Sequence, residues 1–492
     1  MRRASAASLT STSTTGSRSG LSVSANSSVN VRRRSSARID SNLVNLLSRK
    51  SNNMWSNTVG ESIGLIPGRN YFGPLLLCTL SPVFVTILCH VMVHNDGSIL
   101  LYLQELRSQG LIRGLYATWP AWSNLSVWKM IAIFMITQLL IMKLVPGKTY
   151  RGPVTPAGNT PIYTANGFQA FALSLFLYNA AVFFGLFKGG IIYDHIGEIL
   201  SSMNVFALLF CLGLYLKGLY LPSSSDHGST GNPIFDFYWG TELYPRVLGW
   251  DVKQFTNCRC GMMFWALFII SCAYKQREAY GFVSYGIMVN VALQLIYIAK
   301  FFWWETGYLA SMDIAHDRAG FYICWGVLAF LPCVYTSHSM FLAEHPDSLT
   351  IFSAIVIFVA GVASVWINFD CDRQRQHFRR TQGRCKIWGN DPYFIEAKYR
   401  TEAGETKTNL LLGSGWWGVA RHFHYLPEIV AAACWTIPVH TRAWLPYFYV
   451  PYLILLLVDR AFRDDARCYS KYGKYWEQYC KRVPFMILPA VL

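Results

Sequence analysis

Long apolar stretches recur from about residue 70 to the end of the chain, and polar segments separate them. Most approach the length of about 20 residues with which an α-helix crosses a bilayer. Backbone groups in lipid must be hydrogen-bonded within the segment, which favours helices, and the alternating segments of a membrane β-barrel do not occur. The pattern predicts an all-α polytopic membrane protein with about ten transmembrane helices. The ten candidates are Phe72–Val93, Trp128–Met142, Phe168–Phe187, Val205–Leu221, Met262–Tyr274, Phe282–Ala299, Phe321–Leu342, Ile351–Ile367, Ile429–Pro438 and Trp444–Val458.

Two polar segments, 369–427 and 460–482, flank the last pair of predicted helices. A helical hairpin returns the chain to the side from which it came, so the two segments are expected to meet and form one site. Within the first segment, Gly404 lies between two β-prone pieces and predicts a small hairpin.

Composition supports a membrane location, because only 14% of the 492 residues are charged, against about 25% in soluble proteins. The net charge of +16 comes largely from basic clusters outside the apolar stretches. Basic loops stay in the cytosol, so the charge indicates topology rather than nucleic-acid binding. Residues 1–60 are rich in Ser and Arg and predict a disordered tail, with an organelle-targeting sequence as the alternative.

The cysteines and histidines do not predict a metal site. Among 13 cysteines there is no CxxC, the closest pair is Cys258 and Cys260, and most are expected to be reduced thiols within helices. In "HFHY" (His422–Tyr425) the two histidines point in different directions on a helix, and no third ligand is evident. A hydrogen-bonding role is favoured.

The stretch "RAFRDDARCYSKYGKYWEQYC" (Arg460–Cys480) combines charge with aromatic rings. We expect Asp464 and Asp465 to order the neighbouring arginines, Arg460, Arg463 and Arg467, by ion pairs. Arg375 and Arg379 follow an earlier apolar stretch, and arginine suits bidentate contacts with phosphate. Together these residues predict a site for an anionic, planar ligand such as a dinucleotide phosphate. The alternative is an amphipathic tail and a basic cluster that contact lipid headgroups.

"GSGWWG" (Gly413–Gly418) matches the dinucleotide pattern GxGxxG. No βαβ unit surrounds it and no acid follows about 20 residues later, so a Rossmann domain is rejected. The glycines still predict close approach of a ligand or helix. Trp416 and Trp417 are candidates for stacking on a flat ring or, from composition alone, for the aromatic belt of the membrane interface.

Several ionisable residues lie beside predicted helices in "YIAKFFWWETGYLASMDIAHDR", namely Glu305, Asp313, His316 and Asp317. Ionisable groups at membrane depth are costly and point to function. An exposed loop between helices is the alternative for Asp313–Arg318.

Longer motifs carry a family resemblance. The carboxyl end from "LLLVDRAFRDDARCYSKYGKYWEQYC" onward and "GNPIFDFYWGTELYPR" resemble the sterol reductases that saturate ring double bonds with NADPH. "WWETGYLASMDIAHDRAGFYICWG", "FRRTQGRCKIWG" and "SGWWGVARHFHY" look specifically like the branch of that family that reduces the double bond at carbon 7, most closely its plant type. The resemblance extends from about Pro67 to the end of the chain.

The resemblance implies a ten-helix fold in the endoplasmic reticulum membrane, NADPH entering from the cytosol, a sterol entering from the bilayer, and other enzymes of the sterol pathway as partners. It divides the chain into the tail, a membrane body with a sterol pocket over 61–368, and an NADPH-binding region over 369–492. Arg375 replaces a lysine of animal relatives and His424 an asparagine, and both keep the polar character. The implied NADPH contacts are Arg375, Arg379, Leu412, Trp417, His424, Tyr425, Asp464, Cys468, Tyr469, Ser470, Lys471, Tyr472 and Tyr479.

The chemistry follows from the implied substrate. A conjugated ring diene has no carbonyl to polarise, so protonation at carbon 8 must precede hydride transfer to carbon 7. A buried carboxyl with a raised pKa can donate that proton near neutrality. Candidates for the acid or its relay are Tyr297, Glu305, Asp313 and Asp317.

Three alternatives remain. A sterol Δ14-reductase would share fold and cofactor and differ in how the sterol lies. A scaffold of the lamin B receptor type would require a folded reader domain before the first helix, and the 60-residue tail leaves no room for one. Isoprenylcysteine methyltransferases have a similar carboxyl region, but they are much shorter and the polar segment 369–427 is evidence against them.

Overall fold

The computed structural model describes residues 69–155, 157–400, 406–440 and 442–489. The predicted tail, residues 1–60, lies outside these ranges. The helices, in chain order, are α1 Arg69–His94, α2 Ile99–Gln109, α3 Leu111–Thr118, α4 Leu125–Leu144, α5 Gly167–Phe183, α6 Ile191–Asp194, α7 Ile196–Tyr220, α8 Pro233–Trp239, α9 Met262–Tyr280, α10 Tyr285–Trp303, α11 Glu305–Tyr308, α12 Met312–Ala315, α13 Phe321–Trp325, α14 Leu331–Val334, α15 Ser337–Glu344, α16 Ile351–Arg380, α17 Trp416–Val419, α18 Tyr425–Thr436, α19 Tyr449–Tyr472 and α20 Lys474–Arg482.

Two π-helical segments and three small hairpins complete the described elements. π1 (Gln254–Gly261) leads into α9, and π2 (Gly326–Phe330) joins α13 to α14. Short 3₁₀ turns occupy Ile437–Val439 and Leu445–Phe448. The antiparallel pairs are β1 Lys148–Arg151 with β2 Ile162–Ala165, β3 Arg246–Val247 with β4 Trp250–Asp251, and β5 Phe394–Arg400 with β6 Thr406–Leu412.

The all-α membrane architecture is confirmed. Eight helical stretches in the described ranges are long and apolar enough to cross a bilayer, and α5 and the stretch Tyr425–Val439 are shorter apolar helices. Each of the ten predicted stretches thus coincides with an apolar helix, and eight of these helices in the described ranges are long enough to cross a bilayer. The two strands of the predicted hairpin are present as β5–β6, which pair from Phe394 opposite Leu412 to Arg400 opposite Thr406, while Gly404 itself lies outside the described residues. The chain is therefore a multi-pass membrane protein with a small hairpin in its first polar segment.

Two of the predicted spans continue far beyond their apolar parts. α16 has 30 residues, about 45 Å at 1.5 Å per residue, against a hydrocarbon core of about 30 Å. Its first 19 residues carry no charge, and its last 11 include the arginine cluster. α19 changes in the same way after Val458. The predicted boundary at 368/369 therefore falls within one continuous helix, and the arginines lie on rigid helical extensions.

The cysteines are free thiols, as predicted. Ten of the 13 are buried, most of them in the apolar interior formed by the membrane helices.

Candidate functional site

The two polar segments meet where α16 and α19 end. The Tyr479 hydroxyl of α20 donates to the carbonyl of Leu412, at the end of β6, over 2.9 Å. The Asn409 amide donates to the Tyr472 hydroxyl over 2.6 Å. These contacts confirm that the segments before and after the last helical pair form one region.

Arg375 lies over the indole of Trp417, with its guanidinium carbon 4.1 Å from the ring centroid. Asp372, one turn earlier on α16, pairs with the same guanidinium at 2.8 Å. The Trp417 Nε1–H donates to the carbonyl of Cys371 over 2.8 Å, and its ring is buried. Trp417 is therefore buried against α16 rather than exposed as a belt residue, and it contacts Arg375.

The glycines of "GSGWWG" permit close packing, as predicted. Gly415 has φ +62°, in the left-handed region that favours glycine. A Cβ at Gly415 would lie 2.3 Å from the Gln374 Oε1 and 2.7 Å from Ile387. The motif thus brings the start of α17 against α16 instead of forming the turn of a βαβ unit.

Three aromatic rings, those of His422, His424 and Tyr425, lie close together beside Trp417. His424 and Tyr425 have centroids 4.3 Å apart, and the His422 ring stacks on Tyr425 at 5.2 Å. Burial lowers the pKa of His422 to about 4 and that of His424 to about 3, although Asp464 and Asp372 oppose the shifts. Both imidazoles are neutral near pH 7. The buried Nδ1 of His424 has no hydrogen-bond partner among the described residues, so it is available to a ligand.

The arginines of α19 find partners that differ from those predicted. Asp464 pairs with Arg467, one turn later. Arg460 instead pairs with Asp313, and Arg463 lies 3.8 Å from Asp317. The expectation that Asp464 and Asp465 order all three arginines is wrong. Carboxylates of the loop before α13 approach Arg460 and Arg463, and Asp459 of α19 itself lies 3.3 Å from Arg463.

Asp465 lies on a different side of α19. It lies 3.4 Å from the Nε of Arg421 and accepts from the Trp476 indole over 3.1 Å. Asp465 therefore fixes the chain after α19 and does not contribute to ordering the three arginines.

The predicted cofactor residues of α19 divide between two faces. Cys468 and Lys471 follow Asp464 by four and seven residues, which places them on its face of the helix. Arg467, which was not among the predicted contacts, lies on the same face. His316 accepts from Arg467 over 2.9 Å and joins that face to the loop before α13. Tyr469 is 55% exposed, and its hydroxyl donates to Glu477 of α20. Ser470 is also exposed and lies beside Tyr469. These two residues are therefore on a different face from the buried rings around Trp417.

Asp313 and Asp317 form an acidic cluster at the inner end of this region. The buried ammonium of Lys253 holds their loop by donating to the carbonyls of Asp313, Ile314 and Asp317 over 2.9, 2.7 and 2.6 Å. Asp317 is only 2% exposed, and its Oδ2 accepts no hydrogen bond from a described residue. The cluster thus contains a carboxyl that is buried and only loosely paired.

The environments of the two carboxyls separate their pKa values. Burial raises the pKa of Asp317 to about 6, with Arg463 opposing the shift and Asp313 adding to it. Burial also tends to raise the pKa of Asp313. The charge and hydrogen bond of Arg460 outweigh burial and hold the pKa of Asp313 below its usual range. Two neighbouring carboxyls with separated pKa values are typical of an acid and a fixed anion in one site.

The structure does not bring Tyr297 and Glu305 into this cluster. Tyr297 donates to Glu428 over 3.0 Å on the side of α10 and α18. Glu305 forms a buried ion pair with Arg259 at 2.8 Å and accepts from the Gly167 amide over 2.6 Å. One oxygen of Glu305 contacts Arg259 of π1 and the other contacts Gly167 of α5. Glu305 therefore joins its own helix, α11, to α5 and π1.

Sequence reasoning missed Lys253 and Tyr322. Tyr322 lies 3.4 Å from Arg463, beside Asp317. Lys253 lies nine residues before the predicted helix Met262–Tyr274, with Arg259 between them, so it resembles an ordinary basic flank. Its role depends on a loop 60 residues later in the chain.

The region fits an anionic dinucleotide on its own chemistry. Arg379 and Lys471 offer exposed cationic groups, Arg375 and Trp417 offer a stacked pair, and His424 offers an unpaired ring nitrogen. Within the described ranges, Arg379 has no ion-pair partner. Exposed cationic groups beside buried neutral rings suit a ligand that has phosphates at one end and a flat ring at the other.

Comparisons with known proteins agree on one family. The model of the family described as ergosterol biosynthesis ERG4/ERG24 matches residues 68–492. The chain is 51% identical to a 7-dehydrocholesterol reductase of Arabidopsis thaliana over 86% of this chain and 97% of the relative. It is 36% identical to a 7-dehydrocholesterol reductase of Xenopus laevis over 76% and 81%. It is 34% identical to a Delta(14)-sterol reductase of Methylotuvimicrobium alcaliphilum over 76% and 84%.

Proposed function

Because this chain belongs to the ergosterol biosynthesis ERG4/ERG24 family of sterol reductases, we propose that it reduces the double bond between carbons 7 and 8 of a 7-dehydrosterol. The proposed reductant is NADPH and the proposed location is the endoplasmic reticulum membrane. Support comes from the 51% identity to a plant 7-dehydrocholesterol reductase over nearly its whole length. Relatives named Delta(14)-sterol reductase are less similar, at 34% and 33%.

The observation that carries the reaction is the position of Asp317. Its carboxyl is buried and lacks a hydrogen-bonded partner at Oδ2, and burial raises its pKa to about 6. It therefore holds a proton for part of the time near neutral pH and can give it to carbon 8 of the diene. Arg463, 3.8 Å away, stabilises the carboxylate that remains.

The other charged groups position the acid and the cofactor. A reduced nicotinamide supplies the hydride when bound. Lys253 fixes the backbone of the loop that carries Asp317, and the Asp313–Arg460 pair joins that loop to α19. Arg375 and Arg379 are proposed to contact the ribose phosphate that distinguishes NADPH from NADH. Trp417, His424 and Tyr425 are proposed to support the cofactor between that phosphate and the acid.

The test uses the purified full-length chain in lipid with NADPH and, in separate reactions, 7-dehydrocholesterol and a Δ14-sterol. Loss of the diene absorbance and a product saturated at carbon 7 are expected only with the first substrate. Turnover of the Δ14-sterol alone would replace the proposal by the Δ14-reductase alternative. Turnover of neither substrate, by protein that is correctly folded, would reject both.

A further inference from the structure

A cavity of about 320 Å³ lies among α4, α5, α7 and the two π segments. None of the residues assigned above to the acid cluster or to the cofactor region lines it. Its walls are formed by apolar side chains such as Phe134, Met203 and Phe264, and no charged side chain lines it. Small-molecule sites commonly have volumes of about 300–1,000 Å³ with apolar walls and a few placed polar groups.

One of the polar groups in this wall has an unmet hydrogen bond. Gln138 on α4 is only 1% exposed, and its Nε2 donates to the Ser174 hydroxyl of α5 over 3.0 Å. Its Oε1 accepts no hydrogen bond from any residue in the described ranges. Leaving a buried amide oxygen unpaired is costly. A hydroxyl group satisfies this amide in either orientation, because a hydroxyl both donates and accepts.

The cavity extends along the helices and reaches the lipid-facing surface. Met130 and Gln138 both line it, and eight residues of helix separate them by about 12 Å. Two further lining residues, Ile133 and Leu177, are 67% and 44% exposed. A ligand can therefore enter laterally from the bilayer.

The polar end of the cavity lies toward the carboxyl end of α4. Gln138 is six residues before that end, about 9 Å along the axis. There Gly167 donates to Glu305 over 2.6 Å, and Gln254, the residue after Lys253, donates to the same carboxylate over 3.2 Å. A bilayer lipid in the cavity would thus have its polar group on the side where Lys253 holds the loop of the acid cluster.

We propose that this cavity is a second sterol site, separate from the place of reduction. The single hydroxyl of a membrane sterol pairs with Gln138, and the rigid rings lie against the apolar walls of α4, α5 and α7. A phospholipid fits less well, because the walls offer no cation for phosphate and an acyl chain would leave the amide unpaired. The choice of a sterol among hydroxylated lipids rests on the proposed function.

The experiment is photolabelling of the full-length chain in lipid nanodiscs with a diazirine analogue of cholesterol, which has no double bond at carbon 7. Labelled peptides from α4 or α5 are expected, and unlabelled cholesterol should prevent their labelling. Cholestane, which lacks the hydroxyl, should compete at least about 5- to 10-fold less well, as expected for one buried hydrogen bond. In Gln138→Leu, cholesterol and cholestane should compete equally.

Two further variants separate binding from folding. Ala181→Phe adds a ring to a residue that lines the cavity and should abolish labelling of α4 and α5. Thr79→Val changes an exposed residue of α1 and should leave labelling unchanged. Thermal unfolding checks that each variant is folded. Labelling confined to the Asp317 region, or spread over the lipid-facing helices, would overturn the proposal, as would equal competition by cholestane in the parent.

Turnover of 7-dehydrocholesterol, measured on the same samples, distinguishes this proposal from the proposed function. Gln138→Leu should retain the turnover of the parent, because Gln138 does not contact the acid cluster. Normal turnover without specific labelling would reject the second site alone. Specific labelling without turnover in the parent would reject the proposed reaction alone.

Discussion

At the scale of the residue, Asp317 differs from the other candidate acids because no hydrogen bond or close ion pair offsets the cost of burying its charge. Glu305 is equally buried, but Arg259 and the Gly167 amide stabilise its charge. Asp313 has the direct Arg460 contact. Burial without such a contact favours the protonated carboxyl, which is why we propose Asp317 as the proton donor.

Replacing Asp317 by Asn should lower turnover by about 10²- to 10⁴-fold, the usual contribution of a general acid. In the parent, the proton on Asp317 is lost as the pH rises through about 6, so turnover should fall above that pH when proton transfer limits the rate. Single-turnover reduction from pH 5 to 8 measures both effects. The variant should lose this descending limb. An unchanged pH profile in Asp317→Asn would assign the acid elsewhere.

Arg379 tests the choice of cofactor. Charge-assisted hydrogen bonds contribute roughly 1.5–3 kcal/mol each, so Arg379→Ala should raise the KM for NADPH about 10- to 100-fold and change that for NADH little. The matched control is Arg380→Ala, which removes an equally exposed arginine from the next position of α16. Equal effects of the two substitutions would indicate general surface charge rather than a phosphate contact.

At the scale of the element, the loop that carries Asp313 and Asp317 has little regular structure of its own. α12 has four residues, and the loop is joined to the residue before π1 by the three hydrogen bonds of Lys253. The acid is therefore positioned by an element remote in sequence, and its geometry depends on that junction.

Lys253→Met should leave buried carbonyls unpaired, at about 1–3 kcal/mol for each group that finds no other partner. Thermal stability should fall, and kcat should fall further than stability explains, since a misplacement of about 1 Å can cost about 100-fold. The KM for NADPH should change little. Lys275→Met is the control, because Lys275 pairs with Asp194, away from this loop. A raised KM with normal kcat would place Lys253 in cofactor binding instead.

At the scale of the whole molecule, every residue assigned to the reaction lies after position 250, and the family match begins at residue 68. Deleting Met1–Ser56 should therefore leave turnover of the purified enzyme within about twofold of the parent, since changes remote from special features usually have small effects. Turnover at saturating sterol and NADPH, with thermal stability in parallel, is the measurement. Loss of activity by a folded, correctly located protein would contradict the prediction that the tail is dispensable.

The sequence alone determined the membrane class, the positions of the apolar helices and the family, because the lengths of apolar stretches and long motifs are local properties. It also located the two polar segments that meet. It placed the ends of α16 and α19 too early, since a change from apolar to charged residues ends the hydrocarbon span but not the helix.

The tertiary structure decided which polar residues act together. Glu305 and Asp317 look alike along the chain, yet Arg259 reaches only Glu305. Arg460 and Arg463 of α19 approach carboxylates about 146–147 positions earlier in the chain. The amide oxygen of Gln138, which has no partner in the described ranges, became visible only when α4, α5 and α7 enclosed it. Such pairings depend on contacts between distant parts of the chain, and the pKa of each group follows from those contacts rather than from its neighbours in sequence.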